Sequence, residues 1–488
     1  MKKLLIGFLA VGLVMGFAMT ASAQPNIKAS GQLFMIGGYA DNMYLTNNAN
    51  SHSNIANRLR MQFEIQVQEG LKLTTRFDAM ERVWGQAQAV GGEGSGERNI
   101  SWERAYVTFN GLYGVFDVGY KQSRVWGTCA FCDDYDSDAG IQYRYMMGPW
   151  TFGLNWDKRA NWTELKMSGV TNLSGEGSQQ SSGVRRTLNA YDGSDNDHDV
   201  YQIWAIYRWA TGQAGLRYEL ERDASSGSPT STTPGAAIQT AVAPYGNPAV
   251  TGVGYTILFH EIAPYVQWIS GPFAVEGEFR YVWGSVDYDG STTDIDRKGW
   301  DLYLMGKYTM GAFYGGLEFA YITGDDPNTA DKNEAGQKGG GGWDPLLMFG
   351  NYWFHKHHGA FGNPTLLNTG TNATDETWYT QNEYESNLMM FKPFVGWKVN
   401  PQLEIVAQYA WLKANEKPRF GGVPTGAQFV SDDYGREFDI YASYKVYNNL
   451  TYTVGFGYFW TGDYFKGATA SADLDDSFLI MNSLNFTF

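Results

Sequence analysis

The chain has two cysteines in 488 residues, Cys129 and Cys132, so cross-links cannot be what holds its fold together. It has six histidines, three of them in one short stretch, which leaves little from which to build a metal centre or a histidine-dependent catalytic site. Basic residues are scarce beside acidic ones, 36 against 51, and the resulting net charge of −15 argues against bulk attraction to nucleic acid or anionic polymers. Long apolar runs are missing as well. Apart from Leu4 to about Ala18, no stretch is apolar enough to span a bilayer as a helix. Glycine is plentiful, with 59 residues, and aromatics make up 16% of a chain whose mean hydropathy is negative.

Lys2 and Lys3 precede the apolar run, and Ala21-Ser22-Ala23 supplies a small-residue cleavage site ahead of Gln24. Residues 1–23 therefore read as a secretory signal peptide, the run being short for an uncleaved anchor. The mature chain, 24–488, then carries 34 basic against 51 acidic side chains, a net charge of −17, once Lys2 and Lys3 are removed.

The hydrophobic half of this polar-looking chain lies in alternation. From Arg58 to Val67, the residues Leu59, Met61, Phe63, Ile65 and Val67 interleave with Arg58, Arg60, Gln62, Glu64 and Gln66. The end of the chain does the same: Phe478, Ile480, Leu484, Phe486 and Phe488 share one face, and Leu479, Met481, Ser483, Asn485 and Thr487 the other. Apolar-out, charged-in strands are what a closed transmembrane barrel needs, because closure leaves no unpaired edge facing lipid.

Upward strands fall near 27–40, 71–80, 115–122, 150–157, 213–221, 273–283, 312–322, 403–412 and 450–461. Their downward partners fall near 57–67, 100–109, 139–147, 199–209, 255–269, 297–308, 386–399, 434–446 and 477–488. The expected fold is thus all-β, a transmembrane antiparallel β-barrel of about 18 strands with 16 as the alternative, in which short periplasmic turns alternate with long outer loops. Aromatics sort to both strand ends, Tyr39, Tyr120, Trp156, Tyr218, Trp283, Tyr321, Trp411 and Trp460 above, Phe109, Trp150, Trp209, Phe273, Tyr308, Phe313, Trp397 and Phe488 below. Two girdles suit two membrane interfaces and have no purpose in a β-sandwich. Pro264 and Pro393 interrupt strands that a barrel keeps fully paired, so bulges are expected there.

Inward positions on the early strands carry Arg58, Arg60, Arg76, Arg104, Lys121 and Arg144, expected to stack into a basic wall lining the pore. The third outer loop, 123–138, holds Asp133, Asp134, Asp136 and Asp138. An acidic loop laid across a basic wall would set a transverse field that sorts solutes by charge as well as size. Later strands turn Glu219, Glu276, Glu278, Asp301, Glu318, Glu404, Glu437 and Asp439 inward. A second long outer loop, 324–385, contains the apolar run Trp343-Asp344-Pro345-Leu346-Leu347-Met348-Phe349, which suits a segment packed in the barrel mouth or at a subunit contact. Either loop could form the constriction.

The segment Arg104-Ala105-Tyr106-Val107-Thr108-Phe109-Asn110-Gly111-Leu112-Tyr113-Gly114-Val115-Phe116-Asp117-Val118-Gly119-Tyr120-Lys121 resembles the strand-turn-strand of Gram-negative general porins. The resemblance implies a passive, water-filled channel for small hydrophilic solutes and ions, a homotrimer set in outer-membrane lipid and lipopolysaccharide, and a third loop folded into the lumen. It also implies that Phe488 is an assembly signal read by the barrel-assembly machinery. Two features depart from the family pattern. The basic residue sits at Lys121, behind Tyr120, and the third loop carries the cysteine pair where the family has a proline-glutamate-phenylalanine-glycine turn. Eighteen strands is also the size of selective channels of the sugar, organic-acid or polysaccharide-export type, which is the alternative reading.

Cys129 and Cys132 have C-x-x-C spacing without a βαβ context, so in an oxidising envelope a local disulfide is the expected state. His355, His357 and His358 are weak candidates for a metal, and a solvated loop explains them as well. His52, His198 and His260 have no nucleophile or paired acid patterned beside them, so no enzyme activity, cofactor or nucleic-acid partner is expected.

Overall fold

The computed structural model describes residues 25–47, 51–85, 100–123, 125–128, 130–131, 137–161, 197–224, 255–288, 294–329, 331–336, 343–351, 361–363, 365–367, 387–420 and 426–488. The expected signal peptide lies outside the described residues, as do Cys129, Cys132, Asp133, Asp134, Asp136, His355, His357 and His358.

Eighteen strands form the wall. They are β1 (Asn26–Asp41), β2 (His52–Gln68), β3 (Leu71–Val83), β4 (Ile100–Gly111), β5 (Gly114–Gln122) and β6 (Ser137–Met147). Then come β7 (Trp150–Asn161), β8 (Asp197–Trp209), β9 (Gly212–Asp223), β10 (Tyr255–Ser270), β11 (Phe273–Tyr288) and β12 (Ile295–Met310). The last six are β13 (Phe313–Ile322), β14 (Leu388–Lys398), β15 (Leu403–Lys413), β16 (Asp433–Tyr447), β17 (Leu450–Thr461) and β18 (Ser477–Thr487). Each pairs antiparallel with its chain neighbours, and β18 returns to β1 from Gln32↔Thr487 to Asp41↔Phe478, closing the ring. A two-residue segment, Lys332–Asn333, adds parallel to the outer end of β12 without joining the wall.

The turns on one side are minimal: seven of the eight have two residues between strands. The turn between β4 and β5 is instructive, because Gly111 pairs directly with Gly114 and both central residues, Leu112 and Tyr113, have positive φ, 49° and 62°. Such a turn matches strand twist but favours Asn-Gly. Gly114 is obligatory there, since an added Cβ would lie 2.4 Å from the Arg144 carbonyl and 2.5 Å from the Tyr143 ring.

The girdle aromatics point outward on both rims, in phase with the apolar residues between them. The prolines behave differently from expectation. No register slip accompanies either one, so neither makes a bulge. At Pro264 the ladder to β9 is unbroken, while pairing to β11 lapses at Ala263 and Pro264 and resumes in the same register. At Pro393 the ladder to β13 is likewise intact and pairing to β15 lapses at Lys392 and Pro393. A missing N–H costs one rung on one side, and at Pro264 the neighbouring Ala263 carbonyl is taken by a loop residue inside.

The interior is not uniformly polar. On β1 and β13 to β18, toward the outer end, inward positions are Ala40, Ala320, Ile322, Leu388, Met390, Ala410, Leu412, Phe459, Leu479 and Met481, all buried. Those side chains need apolar cover inside the barrel, and the outer loops supply it. Phe349, Phe361, Phe429, Tyr434, Tyr464 and Phe465 fill the mouth on this side, fully or almost fully buried.

Candidate functional site

Four of the six expected wall cations form one group. Arg58 and Arg60 on β2, Arg76 on β3 and Arg104 on β4 lie side by side near mid-height, with Arg76 directly opposite Arg104 in the ladder. Guanidiniums this close need counter-charge. Arg60 makes a two-pronged pair with Asp78, Nε to Oδ1 and Nη2 to Oδ2 both 2.7 Å, and its Nη2 also reaches Glu103 Oε1 at 3.1 Å. Arg76 pairs with Glu103 Oε2 at 2.6 Å, and Arg58 lies 3.7 Å from Asp78. Among these six side chains four guanidiniums face two carboxylates, a formal balance of +2.

The other two cations stand apart. Lys121 Nζ is held by Asp157 at 2.6 Å with both side chains buried, and Arg144 is held by Asp117 at 2.6 Å. They belong to a belt of alternating sign, so the basic wall is confined to β2, β3 and β4. The belt continues from Asp157 through Asn155, Gln202 and Glu219 by bonds of 2.5, 3.2 and 2.6 Å, then through Arg217 to Glu261. Asp138 is a correction too. It sits in β6, not in the loop, opposite Lys121 in the ladder and 3.2 Å from Arg159, so it serves the wall. The loop proper therefore spans 123–136.

Residues 125–128 and 130–131 of that loop lie against inward-facing wall residues. Trp126 inserts its ring against Tyr265 at 5.1 Å, edge on, and against Trp204 at 6.0 Å. Its indole N–H donates to the Ala263 carbonyl at 2.8 Å, within the rung opened beside Pro264. Thr128 donates from both backbone N–H and Oγ1 to Glu278 Oε2, at 2.6 and 2.8 Å. Phe131 lies under the Arg280 guanidinium at 4.3 Å. Leaving β5 and landing on β10 to β12, the loop reaches the side of the ring nearly opposite the arginine group.

The longer loop, between β13 and β14, enters from the other side. Glu437 on β16, fully buried, accepts the backbone N–H groups of Met348 and Phe349 at 2.7 and 2.9 Å. Asp439 accepts Leu347 N–H at 3.1 Å, and Lys392 donates to the Pro345 carbonyl at 2.8 Å beside the rung lost at Pro393. The two loops meet where Phe131, Tyr303 and Trp343 pack with centroids 6.1 to 6.4 Å apart. Both loops are held by the same device, a wall carboxylate taking loop N–H groups. At the mouth above, Glu416 is held above the ordinary carboxylate range by burial and then by Asp326 and Glu334 beside it.

No curated protein sequence matches the chain. Among solved structures, OpdQ of Pseudomonas aeruginosa is 12% identical over 95% of this chain and 98% of its own, with a TM-score of 0.47. OccAB4 of Acinetobacter baumannii is 10% identical over 96% and 100%, at 0.47, and a BenF-like porin from Pseudomonas fluorescens Pf-5 is 11% identical over 95% and 99%, at 0.45. Residues 368–478 match the family described as alginate export. Residues 10–342, about two thirds of the chain, match the family described as Gram-negative porin. With its closed 18-stranded barrel, two aromatic girdles and loops folded into a charged lumen, the chain belongs to the Gram-negative porin family and is a channel of the outer membrane.

Proposed function

We propose that the channel sorts small hydrophilic solutes by charge, in the gap between the arginine group on β2 to β4 and the inserted loops, and that it favours anions. The observation that carries this is the +2 balance of Arg58, Arg60, Arg76 and Arg104 over Asp78 and Glu103 on one side of the lumen. In a narrow, partly dehydrated passage such a surplus attracts anions and repels cations over several ångströms. Solutes cross without a chemical step, and the acidic loop residues Asp133, Asp134 and Asp136 complete the field. The working unit is a homotrimer in lipid and lipopolysaccharide, delivered after cleavage of residues 1–23 and inserted by the barrel-assembly machinery, with no nucleic-acid partner.

Reversal potentials across a planar bilayer in a salt gradient test this. Replacing Arg58, Arg60 and Arg104 with glutamine should move the reversal potential toward the cation, and replacing Asp133, Asp134 and Asp136 with asparagine should move it the other way. If neither set moves it, the constriction is not where we place it.

The match to alginate export over 368–478 favours a second reading, passage of an acidic polysaccharide. Oligouronates added to one side separate the two: a polysaccharide conduit shows saturable block at low oligomer concentration, whereas a diffusion pore shows conductance that follows salt alone.

A further inference from the structure

Two consecutive residues of β4, Glu103 and Arg104, both face the lumen, which a regular strand does not permit. The cause is a bulge. Arg76 pairs with Arg104 and the next residue, Phe77, pairs with Trp102, so Glu103 is an extra residue with no partner on β3. Trp102 is 65% exposed on the outer face, while the Glu103 side chain is turned inward and keeps 20% of its surface accessible. Without the extra residue, Trp102 and Arg104 would keep their places on opposite faces, and the wall would lose nothing but one carboxylate.

That carboxylate does what a permeating anion would do: it bridges two guanidiniums, Arg60 at 3.1 Å and Arg76 at 2.6 Å. We propose that Glu103 is a specificity-determining residue of this channel, a resident counter-anion that competes with anionic solutes for Arg60 and Arg76 and so sets how tightly the constriction holds them. The proposal rests on the arginine group being the charge filter. Conduction needs a site that attracts its ion but also releases it. Four guanidiniums with Asp78 as the one carboxylate among them would hold a carboxylate or phosphate tightly, whereas a built-in rival shortens its stay.

The experiment uses the full-length protein in planar bilayers, with heat-modifiable migration confirming assembly, and two variants: Glu103→Gln, and deletion of Glu103, which restores a regular ladder. In a potassium chloride gradient both variants should raise the chloride-to-potassium permeability ratio by about twofold or more. With inorganic phosphate as probe, current should saturate at a phosphate concentration several-fold lower than in the parent protein. An unchanged or lowered permeability ratio in assembled Glu103→Gln or in the deletion variant, alongside a clear shift in the arginine-to-glutamine protein, overturns the role of Glu103 and leaves the arginine filter standing. If the arginine variant is also silent, both ideas fall together.

Discussion

Replacing Glu437 with glutamine and Asp439 with asparagine should yield channels of clearly higher and noisier conductance, with the barrel intact. The two carboxylates receive three backbone N–H groups from Leu347, Met348 and Phe349, and with the Lys392 and Gln408 bonds to the Pro345 carbonyl they are the polar anchors of a segment otherwise held by packing. A hydrogen bond contributes about 0.5–1.5 kcal/mol net, so weakening three of them removes a good part of what fixes the loop against β16. The aromatic packing around Phe349 remains, so the loop should fluctuate rather than leave, which is why open-channel noise is the sensitive readout. Because Trp343 and Phe131 touch, loosening one loop should be felt by the other. A designed disulfide supplies the control. A Cβ at Gly457 would stand 3.5 Å from the Leu347 Cβ, within the span a disulfide needs, and once the residue-439 side chain, its Oδ1 2.7 Å away, turns aside, Leu347→Cys with Gly457→Cys should pin the loop again. Conductance should drop back toward the parent value when the pair is oxidised and rise when it is reduced. Quiet, parent-like channels from the assembled Glu437→Gln, Asp439→Asn protein would show that packing and the bonds to the Pro345 carbonyl hold the loop without the two carboxylates.

All eighteen wall strands were legible in the sequence because alternation runs along their lengths, tight turns join their lower ends in pairs from β2 to β17, and aromatics mark many of the rims. The lipid imposes this pattern, and it leaves a mark at every second residue. Lumen chemistry leaves no such mark. Arg58, Arg60, Arg76 and Arg104 were found because inward parity and strand adjacency brought them together. Lys121 and Arg144 were grouped with them by parity alone, and their buried partners Asp157 and Asp117 lie on the same walls at positions that only the register reveals.

Glu103 was missed for an instructive reason. Counting back from Phe109, Val107 and Ala105 puts position 103 in lipid, while Ile100 and Trp102 face lipid on the other parity. The change of phase between Trp102 and Ala105 is itself the sign of an extra residue, and it is present in the sequence. The prolines misled in the opposite sense. A lost rung is expected to force a slip, but at Pro264 the Ala263 carbonyl is taken instead by the Trp126 indole, a loop group that sequence distance hides. Likewise, apolar inward residues such as Leu388, Met390 and Leu412 break the polar-lumen rule, and that breach marks the wall on which the long loop lies.

Substituting Gly31 with valine should impair barrel assembly about as severely as removing Phe488. These two residues make the lowest reciprocal link of the closing seam, Gly31 N–H to the Phe488 carbonyl at 2.9 Å and Phe488 N–H to the Gly31 carbonyl at 3.0 Å. The Phe488 ring lies over Gly31 on the lipid side, so an added Cβ would meet its Cζ at 2.5 Å and the Arg60 carbonyl at 2.8 Å. A ring laid over a strand glycine restores the cover that the missing side chain would have given. Valine there must expel the ring or open the seam between β1 and β18. Overpacking costs about 1–3 kcal/mol and each lost hydrogen bond about 0.5–1.5 kcal/mol, enough together to lower the folded fraction roughly tenfold or more in a marginal assembly step. The check is the proportion of heat-modifiable barrel after refolding into detergent or lipid. Gly31→Ala combined with Phe488→Ala should recover part of the loss seen with Gly31→Ala alone, since the clash with the ring is gone and only the Arg60 carbonyl remains close. Assembly of Gly31→Val at the parent level would mean that the seam yields more easily than its geometry implies, and the importance of Phe488 would then lie in being recognised during insertion, with its seat on Gly31 incidental.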